Sequence, residues 1–238
     1  MQTENIKILV IEDEDIWVLG MKNFLHSLGF EISGIATNVA DAITLINENN
    51  FDVALLDIHI DKKNSGIDLG ILINNSVKKP FIFVTANTDH YSIQEITSAK
   101  PSAYLTKPTD KNALFIAIQN AIKNFSVNEE ISVGSFNIEN ENDSFFVKTG
   151  NKYKRIFWKN IVTLSADEKY VLIELDIDSS AYYIRSSLQN AIKNIVPSQY
   201  KSLFYQVNKS QYININHVSE INGSYIATEN KRIISVSE

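Results

Sequence analysis

The chain has 238 residues, a hydrophobic content of 44% and a formal net charge of -6. That is enough apolar material for two ordinary domains, each with its own core. Cysteine is absent, so no disulfide framework and no thiolate metal site is possible, which suits a reducing compartment. The start of the chain is too short in apolar residues for a membrane span and lacks a basic, cleavable leader, so a cytoplasmic, soluble protein without membrane contact is expected.

Charge is distributed unevenly. Residues 1–126 carry -5, residues 127–143 carry -5 with no basic residue, and residues 144–238 carry +4. An acidic domain, an acidic connector and a mildly basic domain are the simplest division. We place them at 1–125, 126–143 and 144–238.

In the first segment, short apolar runs at Ile6–Ile11, Phe30–Ala36, Val53–Leu56, Pro80–Val84 and Ala103–Leu105 read as strands. Helical spacing fills the gaps, as in Leu114, Ile118, Ala121, Ile122 and Phe125. Five strands alternating with helices predict a parallel α/β sheet covered on both faces. The run Phe51–Ile60 is the organising stretch. Its continuously apolar centre ends on Asp57, at the carboxyl end of a central strand, where open α/β sheets place their ligands. A turn aspartate after a strand is the competing reading of that residue alone.

The other strand ends are polar as well. The first runs into Glu12-Asp13-Glu14-Asp15, the fourth into Thr85-Ala86 and the fifth into Thr106-Lys107-Pro108. Singly, each has a plain reading as cap, turn or solvated side chain. Together they put carboxylates, a hydroxyl and an ammonium on one sheet edge. Three carboxylates, Glu12, Asp13 and Asp57, repel unless cations offset them, and Mg²⁺ with Lys107 would do so. The chemistry this suggests is phosphoryl transfer to Asp57, with Thr85 bonding a phosphoryl oxygen and the small Ala86 leaving the approach open.

This set resembles the receiver domain of bacterial two-component response regulators, a flavodoxin-like five-stranded fold, over roughly residues 5–125. The motifs are Glu12-Asp13, Asp57, Gly66, Thr85-Ala86 and Lys107-Pro108. The resemblance implies that Asp57 is the phosphoacceptor, that Asp13, Asp57 and the backbone carbonyl of His59 bind Mg²⁺ with Glu12 acting through water, and that Lys107 contacts the phosphoryl group. It further implies a cis bond to Pro108 and a switch role for Tyr104. A sensor histidine kinase, or acetyl phosphate, would be the donor. Dehalogenase-type phosphatases are excluded by order: their nucleophile follows the first strand and a second acid lies two residues on, where this chain has His59.

The connector is rich in Asn, Glu and Ser. It reads as a solvated linker or, from alternating Ile131, Val133, Phe136 and Ile138, as an edge strand. Beyond it the pattern is mostly β: Ser144–Thr149, Tyr153–Trp158, Ile161–Ala166, Tyr170–Leu175, Ala181–Arg185, Ser224–Thr228 and Arg232–Val236, with turn signals between. One helix pattern runs from Ser187 to Pro197, capped by Ser186 or Ser187. His217 stands alone and reads as a surface or helix-end residue.

The segments Lys159–Ala166, Asp167-Glu168-Lys169-Tyr170 and Leu203–Asn214 resemble the mostly-β LytTR DNA-binding domain of LytR/AgrA-type regulators. That family inserts loops between strands into successive major grooves. By position Lys169, Asn208 and Lys209 would face DNA, Asn suiting adenine and Lys suiting guanine or phosphate. Gln206, Asn208 and Lys209 depart from the family's usual Arg, His and Arg or Asn, and Glu238 stands where a basic residue is common. Weaker or altered sequence preference is expected, helped by a homodimer formed on phosphorylation. The expectation is a transcription regulator rather than an enzyme acting on a separate substrate; the alternative is a phosphorylation-switched protein-interaction module that does not touch DNA.

Overall fold

A computed structural model describes residues 3–61, 65–86, 93–129, 143–150, 152–176, 180–229 and 232–236. The chain divides into two compact units, one of residues 6–26 and 30–134, the other of residues 1–5, 27–29 and 135–238.

A two-residue strand, β1 (Thr3–Glu4), precedes the first unit's alternation of strands and helices. This runs β2 (Lys7–Ile11), α1 (Asp15–Ser27), β3 (Glu31–Ala36), α2 (Val39–Glu48), β4 (Val53–Leu56), α3 (Ser65–Leu72), β5 (Phe81–Thr85), α4 (Ile93–Ser98), β6 (Ala103–Thr106) and α5 (Lys111–Glu129). The sheet order is β3-β2-β4-β5-β6 and every neighbouring pair is parallel. The expected flavodoxin-like α/β receiver fold is what forms. Burial explains why: β4 and β5 are buried at every position, as a strand covered on both faces must be. Alternate side chains of these strands, Ala54, Leu56, Phe81 and Phe83, join Leu9, Ile11, Ile46 and Ile73 in one core. Within it Phe81 and Phe83 meet edge to face, ring centroids 5.2 Å apart. A Cβ at position 70 would lie 2.9 Å from Phe81 Cε2, so Gly70 lets α3 close onto those rings.

Two boundaries differ from the expected ones. The position proposed for the end of the first domain, residue 125, falls inside α5, which continues to Glu129. Ser126 does not stop the helix because its hydroxyl folds back onto the Lys123 carbonyl at 2.9 Å, a bond made without leaving helical geometry. The first five residues group with the second unit, because β1 pairs antiparallel with β7 (Ser144–Thr149), Thr3 opposite Thr149 and Glu4 opposite Lys148. The possible edge strand around Ile131–Ile138 lies outside the described residues.

The second unit is antiparallel. β1, β7 and β8 (Lys152–Phe157) make one three-stranded sheet. A five-stranded sheet follows, of β9 (Ile161–Asp167), β10 (Tyr170–Leu175), β11 (Ala181–Ile184), β12 (Phe204–Asn208) and β13 (Gln211–Asn214), in the order β11-β10-β9-β13-β12. The third sheet is β14 (Val218–Asn222), β15 (Tyr225–Thr228) and β16 (Ile233–Ser235). The expected helix begins as α6 (Leu188–Asn190), with Ser187 Oγ accepting from Asn190 N–H, and continues as a π-helical turn to Ile195. One further turn, α7 (Ser198–Lys201), follows Pro197. The Phe145 and Trp158 rings stack in this core, centroids 4.3 Å apart.

Candidate functional site

The register of the parallel ladder builds the site. Ile11 stands opposite Leu56, and Leu56 opposite Phe83. The ladder extends one residue past the strands: Asp57 N–H donates to the Ile11 carbonyl at 2.9 Å, Glu12 N–H to Ala36 at 2.9 Å and Lys107 N–H to Thr85 at 2.8 Å. Glu12, Asp57, Thr85 and Lys107 are therefore brought to one carboxyl edge by backbone bonding alone.

All four are buried. Lys107 Nζ lies 2.5 Å from Glu12 Oε2 and 2.6 Å from Asp57 Oδ2, so one ammonium bridges two carboxylates. Such charge-assisted bonds are the strong kind, and they offset part of the desolvation of all three groups. The Trp17 ring, on α1, sits 5.3 Å from the same Nζ. Asp57 Oδ1 accepts from His59 N–H at 3.2 Å and Glu12 Oε1 from Glu14 N–H at 3.3 Å. Asp13 completes the cluster, half-buried: ligand oxygens of Glu12, Asp13 and Asp57 all lie within 4.8 Å of one another. Three carboxylates against one ammonium leave a formal excess of negative charge, and an all-oxygen donor set suits a hard divalent cation.

Burial dominates the electrostatics of Glu12. It raises the carboxyl from 4.5 to about 7, although Lys107 pulls it down through its hydrogen bond and its charge; Asp57 adds to the rise. The Tyr104 phenol is pushed up by burial and then by the Asp57 charge. Among the described residues, neither the Tyr104 hydroxyl nor Thr85 Oγ1 has a hydrogen-bond partner, although both oxygens are buried. Buried hydroxyls without partners are uncommon, and here two sit near one carboxylate cluster.

The remaining expected residues of this edge are present in simple form. Ala86 and Pro108 are exposed, and the Lys107-Pro108 bond is cis. Gly66 is required sterically. A Cβ there would lie 2.0 Å from the Asp57 carbonyl oxygen and 2.6 Å from Ile58 Cα, while Gly66 N–H bonds the Ile58 carbonyl at 3.0 Å. The first turn of α3 can thus rest directly on the backbone that carries Asp57.

In the second unit, the β9–β10 and β12–β13 turns lie at the same end of the five-stranded sheet. Gln211 stands opposite Ser165, and Ala166 N–H bonds the Ser210 carbonyl at 2.7 Å. Lys169 and Lys209 are exposed at these turns, next to the exposed acids Asp167 and Glu168. Asn208 differs, being half-buried with an engaged side chain. Its Oδ1 accepts from Ser210 N–H and Ser210 Oγ, each at 3.0 Å, and its Nδ2 donates to the Ser235 carbonyl at 3.2 Å. No local sequence signal announces the last of these bonds, because Ser235 is distant in the chain. His217 ends a 3₁₀ turn, Ile215–His217, its Nε2 2.8 Å from the Lys159 carbonyl, which fits the helix-end reading.

Comparison with known proteins bears on both units. Residues 8–119 match the family model of the response regulator receiver domain. The chain is 23% identical to the transcriptional regulatory protein LytR of Staphylococcus aureus over 219 residues, 91% of this chain and 86% of that one. It is 32% identical to the transcriptional regulatory protein CrdR of Helicobacter pylori over 110 residues, 45% of this chain and 51% of that one. Among solved structures, the receiver domain of a modulated diguanylate cyclase from Desulfovibrio desulfuricans G20 is 25% identical, with a TM-score of 0.50, covering 52% of this chain and 99% of that one. Among the described residues no helix is long and apolar enough to cross a membrane.

Proposed function

We propose that this chain, a response regulator whose residues 8–119 are the receiver domain, is a phosphorylation-controlled transcription regulator acting in the cytoplasm. The observation that carries the reading is the buried carboxylate cluster bridged by Lys107, with the Thr85 hydroxyl, partnerless among the described residues, at the same sheet edge. Asp57 is the phosphoacceptor. Its carboxylate oxygen forms the bond to phosphorus, the phosphorus–nitrogen bond of a kinase phosphohistidine breaks, and the departing imidazole takes a proton from water; acetyl phosphate serves as a small-molecule donor.

Asp13, Asp57 and the His59 carbonyl, with Glu12 acting through water, would hold Mg²⁺, which would supply the positive charge that this edge lacks. Lys107 donates to a phosphoryl oxygen and thereby leaves its bridge to Asp57. Thr85 gains its missing partner in another phosphoryl oxygen, and Tyr104 moves with it, so the altered surface favours a homodimer. The unit from residue 144 onward binds double-stranded DNA through its turn end, with Lys169 and Lys209 toward the duplex. The similarity to a transcriptional regulator over 219 residues and the +4 charge of this segment support that half of the reading.

The test is intact-mass analysis after incubation with acetyl phosphate and Mg²⁺, followed by genomic DNA pull-down and sequencing. One added phosphoryl group, lost in Asp57→Asn, is expected, and phosphorylation should sharpen enrichment of repeated sites. Labelling retained in Asp57→Asn refutes the phosphoacceptor. Normal labelling with no DNA enrichment in either state moves the second unit to protein binding.

A further inference from the structure

Asn208 is one of three residues that sequence position aims at DNA, and its surroundings give it a different role. A side-chain amide that reads adenine must offer its oxygen to N6–H and an N–H to N7 at once. Asn208 Oδ1 already accepts two hydrogen bonds, from Ser210 N–H and Ser210 Oγ, each at 3.0 Å, which fills both lone pairs of a carbonyl oxygen. One of its two N–H donors is committed to the Ser235 carbonyl of β16 at 3.2 Å. Reading a base would mean releasing the Ser210 bonds and opening the turn.

The bonds continue on either side. Tyr212 hydroxyl donates to Gln206 Oε1 at 3.1 Å, and Gln206 Nε2 donates to the Asn208 carbonyl at 3.1 Å, where the β12–β13 register shifts. Ser210 in turn accepts from Ala166 N–H of β9 at 2.7 Å. Lys209 lies between Asn208 and Ser210 and is exposed, so the two framing residues fix the backbone from which that ammonium projects.

We infer that Asn208 is a positioning residue: it locks the Asn208–Ser210 turn against β16 so that Lys209 is presented to a nucleic-acid phosphate, and it does not itself read a base. This rests on the DNA-binding reading of the second unit. A turn already ordered in the free protein loses little side-chain freedom on binding, which is the advantage of such a frame. It also gives Gln206, where relatives of the resembled family carry Arg, a local task as a clasp across the bulge.

The full-length protein and its Asn208→Ala, Lys209→Ala and doubly substituted forms distinguish the roles. Amide exchange in the free protein comes first. Ser210 N–H protection should fall at least about tenfold in Asn208→Ala, with the protein still folded, and should persist in Asn208→Asp, which keeps an acceptor oxygen. Next, affinity for a random-sequence duplex is measured against salt, with sequence preference taken from a random pool. Loss of one phosphate contact lowers the slope of log affinity on log salt by about 0.9. That drop is expected in Asn208→Ala and in Lys209→Ala alike, with no further drop in the double variant. Unchanged Ser210 protection overturns the inference. So does an unchanged slope with preference lost at a single base pair, since that is the signature of a base reader. If the parent protein shows no salt-dependent affinity for DNA, the DNA-binding reading fails, and the exchange result still decides whether Asn208 frames the turn.

Discussion

Titration of Glu12 gives a direct check on the electrostatics of the receiver edge. Its carboxyl titrates near 4.5 when free and near 7 in the folded chain, chiefly because burial disfavours its charge. Between those values the folded chain holds a proton that the unfolded chain has released. The stability contributed by the protonated form is fully present below about 4.5 and is lost as pH rises to about 7. At ~1.4 kcal/mol per decade of pH, the interval amounts to on the order of 3 kcal/mol. The assay is urea unfolding at several pH values in metal-free buffer, followed by amide exchange in β2 and β4 so that the receiver alone is read. Other groups titrate too, so the quantity to compare is the difference between the parent protein and Glu12→Gln, which keeps the shape and removes the proton. That difference should fall by a few kcal/mol between pH 4.5 and 7.5. Saturating Mg²⁺ should flatten it, because a cation that offsets the ionised carboxylate removes the advantage of protonating it. A difference that stays level across the range in metal-free buffer would show that Glu12 is not held above its ordinary value, and the charge argument for the site would lose its basis.

Other perturbations report on separate parts of the molecule. Lys107→Ala removes the cation between two buried carboxylates and should destabilise the receiver by about 3–5 kcal/mol at neutral pH, and by less at pH 5, as judged by urea unfolding. Gly66→Ala forces a Cβ to 2.0 Å from the Asp57 carbonyl oxygen; a loss of roughly 1–3 kcal/mol, together with slower labelling by acetyl phosphate, is expected. Unimpaired labelling and stability in that variant would contradict the close packing of α3 on β4. Phe145→Ala opens the stack on Trp158 and should cost about 3–5 kcal/mol in the second unit while labelling at Asp57 proceeds at the parent rate. Parallel loss of labelling would mean that the two units do not fold independently.

The receiver half was legible in the sequence because its site is a consequence of register. A parallel ladder places the residues after consecutive strands side by side, so acids after β2 and β4, a hydroxyl at the end of β5 and a lysine after β6 predict their own meeting without knowledge of any long-range contact. Burial of whole strands supplies the pattern, and Gly66 follows from the need for α3 to start against the strand end. Elements that went unread lack such local causes. β1 is two residues that pair with Thr149 and Lys148, far along the chain. β14 exposes four of its five residues, so no alternation of apolar and polar side chains marks it.

Asn208 shows the same limit at the scale of one side chain. Sequence position can say that an amide stands at a turn, and that an amide is suited to adenine. It cannot say that an N–H of that amide is already committed, because the acceptor is the Ser235 carbonyl, brought in only when β16 packs beside β12. A lysine is different: a flexible, strongly hydrated ammonium at an exposed turn stays available whatever surrounds its backbone. Transfer of a role by position is therefore sounder for Lys209 than for Asn208. The polar side chains whose roles most need a structure are the ones with both donors and acceptors, since the fold can consume them before any ligand arrives.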